Sequence, residues 1–309
     1  MDSAERVLII PANQVTQVAA VLSSELRKNI VTLLYGRKLN INEIAQELRI
    51  PQSTCATNVQ MLERAGLIQT VQMPAGRGAQ KVCTSTCQEV VLSLMPEDHQ
   101  DEDNLVHTNM PVGLYTDCQI TTPCGLLSNT GVIGYFDNPE SFLDPHRATA
   151  QLIWFSSGYV EYRFPRNLPA GRTIKSVWVT AEVCSEFPGC NTNWPSDITM
   201  WINDVEVGTW TSPGDMGDKR GMLTPDWWRV GDTQYGFLKT WKVTDECSFI
   251  DGVRCSEIST RELQVNELSH VTVRIGVKSD AENCGGVNIF GNHFGNYEKD
   301  IELRLELEK

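Results

Sequence analysis

Apolar residues recur along the first third of the chain at helical spacing and along the last half at alternate positions. From Val15 to Tyr35, the positions Val18, Val21, Leu22, Leu26, Ile30, Val31, Leu33 and Leu34 predict a helical run ended by Gly36. Asn40 opens a second helix, since its side chain can cap free backbone donors while Glu43 reaches back, and Ile41, Ile44, Ala45 and Leu48 form the inward face. After Pro51 a third helix is expected over Gln52 to Ala65, with Cys55, Val59 and Leu62 inward and Gly66 as its stop. Leu67–Met73 and Gln80–Thr84 then read as two strands around a turn at Pro74–Ala79.

Beyond about residue 151 the period changes to two. Tyr159–Phe164, Ile174–Val183, Ile198–Ile202, Val205–Trp210, Leu238–Val243, His270–Val277 and Ile301–Leu307 are each bounded by Gly, Pro, Asn or Asp. Asn203-Asp204 is a two-residue hairpin signal. Successive antiparallel strands without a long helix argue for a β-sandwich of the jelly-roll kind. The expected fold class is α+β, with a winged helix-turn-helix over residues 1–95, a connector packed on the sandwich over 96–150 and the sandwich over 151–309.

Two short helices across a tight turn place the second in a DNA major groove. Its outward side presents Gln52, Ser53, Thr54, Thr57, Asn58 and Met61, short or uncharged groups suited to base edges. Cations for phosphates stand around the pair at Arg27, Lys28, Arg49 and Arg64, and on the wing at Arg77 and Lys81. The stretches Leu22-Ser23-Ser24-Glu25-Leu26-Arg27, Ile44-Ala45-Gln46-Glu47-Leu48, Pro51-Gln52-Ser53-Thr54 and Leu62-Glu63-Arg64-Ala65-Gly66-Leu67-Ile68 together resemble the ArsR/SmtB type of winged-helix repressor. That resemblance covers about a quarter of the chain and implies a dimeric repressor released from operator DNA by a signal. Two departures stand out. The segment Leu39–Glu43 lacks the thiolates of metal-sensing members, and the family's long C-terminal dimerisation helix is replaced by Glu89–Leu94, β-branched and short enough to be a strand.

Charge separates the two halves. The net charge of -13 opposes DNA binding, yet residues 1–95 hold nine Lys and Arg against seven Asp and Glu, and the excess acid lies entirely beyond them. The N-terminus has no basic flank with an apolar run, and no stretch approaches a membrane span, so a cytoplasmic protein with reduced cysteines and no membrane partner is expected.

All eight tryptophans lie beyond residue 150. Most serve a sandwich core, but alternation puts Trp201 opposite Ile198, Met200 and Ile202, with Glu206 and Trp210 beside it. Together with Asp215, Arg220, Trp227 and Trp228 they form a candidate effector site, most simply for a sugar stacked on indole faces. This composition resembles carbohydrate-binding sandwich modules. The alternatives are a sandwich used for dimerisation or protein docking, and a structural-zinc or thiol-responsive regulator through Cys83, Cys87, Cys118 and Cys124, whose spacing is loose. Catalysis and a cofactor are not expected: no pair of acids is isolated for glycoside hydrolysis, and the five histidines, His293 among them, have no metal spacing.

Overall fold

The structure, a computed structural model, describes residues 7–10, 12–74, 79–87, 89–92 and 104–308. The chain divides into two compact units, Met1–His99 and Gln100–Lys309.

The first unit runs β1 (Val7–Ile10), α1 (Ala12–Leu22), α2 (Glu25–Leu33), β2 (Leu39–Asn40), α3 (Ile41–Glu47), α4 (Gln52–Arg64), β3 (Ile68–Pro74), β4 (Ala79–Ser85) and β5 (Glu89–Leu92). The single helical run expected over Val15–Tyr35 is in fact two helices. The break falls at Ser23-Ser24, where the Ser23 hydroxyl donates to the Ala20 carbonyl and Arg27 donates to the carbonyls of Ala20 and Val21, closing the end of α1. Apolar spacing continues across the break because both helices pack on one core, which is why periodicity alone does not reveal it.

Asn40 caps α3 in a full capping box with Glu43. Arg49 then takes a left-handed conformation at φ 53°, and the Ile50 N–H closes on the Ala45 carbonyl, making the tight turn into α4. Strands β2, β4 and β3 form a three-stranded sheet in that order. Glu89–Leu92 is a strand, paired parallel to β1 with Val7 opposite Glu89.

The second unit contains β6 (Leu105–Met110), β7 (Asp117–Ile120), β8 (Cys124–Leu127), β9 (Val132–Ile133), two 3-10 turns over Pro139–Leu143 and Pro145–Thr149, and β10 (Leu152–Phe155). There follow β11 (Gly158–Pro165), β12 (Ile174–Cys184), β13 (Ser196–Ile202), β14 (Val205–Ser212), β15 (Phe237–Val243), β16 (Ser248–Ile250), β17 (Val253–Ser256), β18 (His270–Val277), β19 (Val287–Phe290) and β20 (Ile301–Leu307). Residues 104–150, expected as a connector, supply strands to both sheets, so the sandwich begins well before residue 151.

One sheet orders β14-β13-β18-β11-β7. The other is organised by the long strand β12, which pairs with β15 along one side and with β20 and then β19 along the other; β19 continues to β10, β8 and β9. Alternation sends Ile153, Phe155, Val183 and Ile289 into the core between the sheets, against Tyr162, Ile198, Met200 and Val273. The opposite side of the same strands carries a second apolar layer, Leu127, Leu152, Cys184, Phe290 and Phe294, with Trp154, Trp228 and Phe237 packed on it. This outer layer is roofed by the segments 213–236 and 291–300 rather than left to solvent. Glu182 is the anchor of that roof: it is buried and accepts the backbone N–H groups of Gly236, Asn296 and Tyr297.

Candidate functional site

In the first unit, α4 buries Cys55, Val59 and Leu62 and turns Gln52, Ser53, Thr57, Met61 and Arg64 outward, with Thr54 and Asn58 half-buried at the margins. The Thr57 hydroxyl donates to the Ser53 carbonyl at 3.0 Å and the Asn58 amide to the Thr54 carbonyl at 2.8 Å, so both side chains lie close along the helix, and their acceptor oxygens take no hydrogen bond among the described residues. Met61 sulfur accepts from Arg27 at 3.6 Å, which fixes the outer end of this face. No acid lies in the first turn of α4 to repel a phosphate.

The cations are divided by use. Arg27 caps α1, Lys28 pairs with Glu25 at 2.9 Å, Arg37 pairs with Glu47, and Lys81 pairs with Glu63 at 2.8 Å. Lys81, expected as a phosphate contact, therefore ties the wing strand β4 to α4, where Glu63 also takes the Thr70 hydroxyl. Lys38, Arg49 and Arg64 are exposed and bear no ion pair to a carboxylate among the described residues. Arg77 lies outside the described residues.

The six residues expected at the effector site do not come together. Trp201 does stand on the outer face of the five-stranded sheet, opposite Arg274 on β18 and Glu206 on β14. Trp210 does not stand beside it. A β-bulge between Met200 and Trp201 sets Trp201 against Glu206 but Ile198 against Trp210, so Trp210 shares the buried face of Ile198 and packs at the sandwich margin against Phe237, with the Lys239 ammonium 4.6 Å from its ring centre. One extra residue reverses the facing that strict alternation predicts.

Asp215, Arg220, Trp227 and Trp228 belong to the roof. Arg220 donates to the Pro225 carbonyl at 2.9 Å and Trp228 to the Thr233 carbonyl at 2.8 Å, bracing the segment internally, while Trp227 donates to the Asn129 carbonyl at 2.6 Å and pins it to its surroundings. Beneath it a cavity of about 370 Å³ opens, lined by Phe136, Trp154, Phe187 and Trp228 with Asp137, Glu186, Arg229, Asp232, Thr233 and Asn288. Trp154 is its floor. The indole lies over Gly125, where a β-carbon would stand 2.2 Å from the ring, and it meets Phe136 at 5.6 Å and Trp228 at 6.4 Å between ring centres. Of the expected residues only Trp228 lines this cavity; Asp215 lies fully buried behind it, its Oδ2 taking bonds from Phe187 N–H, the Thr233 hydroxyl and the Asn288 amide.

Electrostatically the site is unusual for its acids. Burial first, then the charges of Asp215 and Asp137, push the Glu186 carboxyl up to about 8. Burial pushes Asp215 up to about 7 against the three hydrogen bonds that favour its charge. The sequence does not single out Phe136, Trp154, Glu186, Phe187 or Asn288. They come from four separate segments, and their one legible signal is an acid and an aromatic side by side, Glu186-Phe187, just after the longest strand.

Cys83 and Cys87 lie in the first unit's core and Cys118 and Cys124 pack in the second unit's. All ten cysteines are free thiols, and no group of three or more His, Cys, Asp or Glu among the described residues is arranged to hold a metal ion. No helix among the described residues is long and apolar enough to cross a membrane.

Residues 22–71, which span α2, α3, α4 and the start of the wing, match the family model of a helix-turn-helix domain. Among solved structures, reduced HlyU from Vibrio cholerae is 22% identical over 24% of this chain and 73% of its own, with a TM-score of 0.21. The homodimeric winged helix-turn-helix DNA-binding domain of a possible ArsR-family regulator from Mycobacterium bovis is 23% identical over 24% of this chain and 64% of its own, also at 0.21. The CBM36-1 domain of a multidomain xylanase from the hindgut metagenome of Trinervitermes trinervoides is 10% identical over 65% of this chain and 96% of its own, at 0.25. No curated protein sequence matches the chain. By its own elements, α3 and α4 across a tight turn and the sheet β2-β4-β3, and by the matching helix-turn-helix model, the first unit is a winged helix-turn-helix domain. The second is a β-sandwich with a roofed aromatic cavity on one outer face.

Proposed function

We propose that the chain is a ligand-responsive transcriptional repressor of the cytoplasm, in which α4 reads operator DNA as one half of a homodimer and the sandwich cavity takes a small polar effector. The observation that carries the effector half is the cavity itself: aromatic rings from four segments converge around a buried acid in a unit that the DNA-binding reading otherwise leaves without a task. Its rings suit a molecule with apolar faces and a polar edge, a description that a sugar ring meets. A single α4 reaches few base pairs, so two copies on an inverted repeat, with half-sites about one helical turn apart or a multiple, supply the specificity.

For the DNA half, Thr54, Thr57 and Asn58 read bases while Arg49, Arg64 and Arg77 hold phosphates. Asn58→Ala then relaxes sequence preference, whereas Arg64→Ala weakens all sites alike and flattens the salt dependence. For the effector half, ligand and operator binding are coupled in both directions by about 1 to 3 kcal/mol. Trp228→Ala removes the ligand's melting shift and its effect on operator affinity while the free protein still binds DNA. A broad panel of small polar compounds that changes neither melting nor operator affinity would make the sandwich a dimerisation or docking module instead.

A further inference from the structure

Nearly every polar group around the cavity already has a partner. Arg229 holds Asp232 bidentately at 3.0 and 3.2 Å, and Asp137 accepts the Cys124 N–H at 3.1 Å. The Thr233 hydroxyl donates to Asp215, and the Asn288 amide donates to Asp215 and to the Ser185 carbonyl. Glu186 is the exception. It is 8% exposed, it lines the cavity, and among the described residues its carboxyl has neither a hydrogen bond nor an ion pair. Behind the cavity, Asp215 is fully buried with its Oδ1 also unpartnered, so the negative potential at this point is not that of one acid alone. A buried carboxylate without a partner is unstable as a charge and calls for either a proton or a cation. The rings of Phe136, Trp154, Phe187 and Trp228 stand around the same space, and aromatic faces attract cations, above all alkylated ammonium groups. Beyond the outer N–H groups of the largely exposed Arg229, few free donors remain for the hydroxyls of a neutral sugar.

We propose that the effector of this cavity is a small organic cation, an ammonium group bearing carbon substituents, with its charge against Glu186 and its substituents against the aromatic rings. This rests on the cavity being the ligand site and names the ligand class for it.

Binding then exchanges one cation for another. In the free protein Glu186, pushed up to about 8, holds a proton at neutral pH. When the ammonium seats, the carboxylic acid becomes a carboxylate paired with it and the proton passes to the buffer, so charge and atoms balance. Facing Glu186 are Asp137, Asp215, the Asp232–Arg229 pair and the Cys124 thiol, which burial pushes up to about 11 and keeps neutral. Asp215, pushed up to about 7, ionises over the same range and steepens the response. Affinity for a cation of fixed charge accordingly rises with pH, by up to about tenfold per unit for each proton released, and levels off above about 8.

The test is calorimetric titration of the full chain with choline, with butylammonium, with 3,3-dimethyl-1-butanol, the neutral carbon isostere of choline, and with glucose. At least one cation is expected to bind about tenfold or more tightly than the isostere, with affinity rising from about pH 6 to about pH 8 and with heats that vary with the buffer's ionisation enthalpy. Glu186→Gln is expected to abolish the preference for charge and the pH dependence. The isostere comparison and the pH series use the unaltered protein, so a variant that fails to fold does not remove the test. If glucose or the isostere binds as tightly as the cations, the charge assignment is overturned and the cavity stands as a ligand site. If neither cation nor neutral compound binds, both are overturned.

Discussion

Acids buried without full compensation distinguish the sandwich at the level of single residues, and they give its stability a direction with pH. Glu186 and Asp215 are pushed up to about 8 and about 7 from ordinary values of 4.5 and 3.8. Over the interval between, the folded state holds protons that the unfolded chain has already released, so stability is greatest on the acid side and falls as pH rises toward 8. The melting temperature of the sandwich is therefore expected to be lower at about pH 8 than at about pH 5, and Glu186→Gln to flatten the fall; a melting temperature that rises over this interval would show that these carboxyls are not raised. Glu182 behaves differently although burial pushes it up to about 7 as well. Its oxygens serve three backbone N–H donors of the roof, and Glu182→Gln replaces one acceptor by a donor facing another donor. A loss of about 1 to 3 kcal/mol in denaturant unfolding is expected, with the cavity opened, whereas an unchanged midpoint would remove Glu182 as the anchor.

At the level of elements, local chemistry was legible where one residue decides the outcome within a turn of itself. Asn40 and Glu43 announce the start of α3, Gly66 its counterpart after α4, and Cys55, Val59 and Leu62 the inward face. It was not legible where the decision lies across the fold. The break between α1 and α2 depends on Arg27 reaching back to the carbonyls of Ala20 and Val21, and the facing of Trp210 depends on a bulge whose extra residue, Val207, lies on β14 beside Gly208, a local marker that strict alternation passes over. Arg27→Ala is expected to cost about 1 kcal/mol by removing the cation and donor from the end of α1, and to lower the unfolding midpoint of the first unit without altering the sandwich; no change would mean water caps α1 equally well. Arg49 holds a left-handed conformation that glycine adopts without strain. Arg49→Gly should leave the turn intact at little cost or a gain of up to about 1 kcal/mol in stability while weakening DNA binding, because it removes one unpaired cation beside α4.

Across the whole molecule, the division into a winged helix and a sandwich follows from the change of hydrophobic period and from the placement of charge, both properties of long stretches rather than of single positions. The effector site does not, because Phe136, Trp154, Glu186 and Phe187 are brought together by the sandwich itself and the cavity is completed only where Trp228 of segment 213–236 packs over the outer apolar layer of the larger sheet. Gly125→Ala offers a probe of that closure, since a methyl group would strike the Trp154 ring, and it is expected to abolish effector binding while the core between the sheets stays folded. The acidic excess of the sandwich makes DNA binding by the full chain the claim most exposed to contradiction: a net charge of -13 must be outweighed locally by the face of α4 and its unpaired cations. The direct measurement takes the duplex that the full chain selects from a random pool and compares its dissociation constant with that of a scrambled duplex at one physiological salt concentration. Binding about a thousandfold or more tighter to the selected duplex is expected, and equal affinity for the two, or none for either, would contradict a transcriptional regulator.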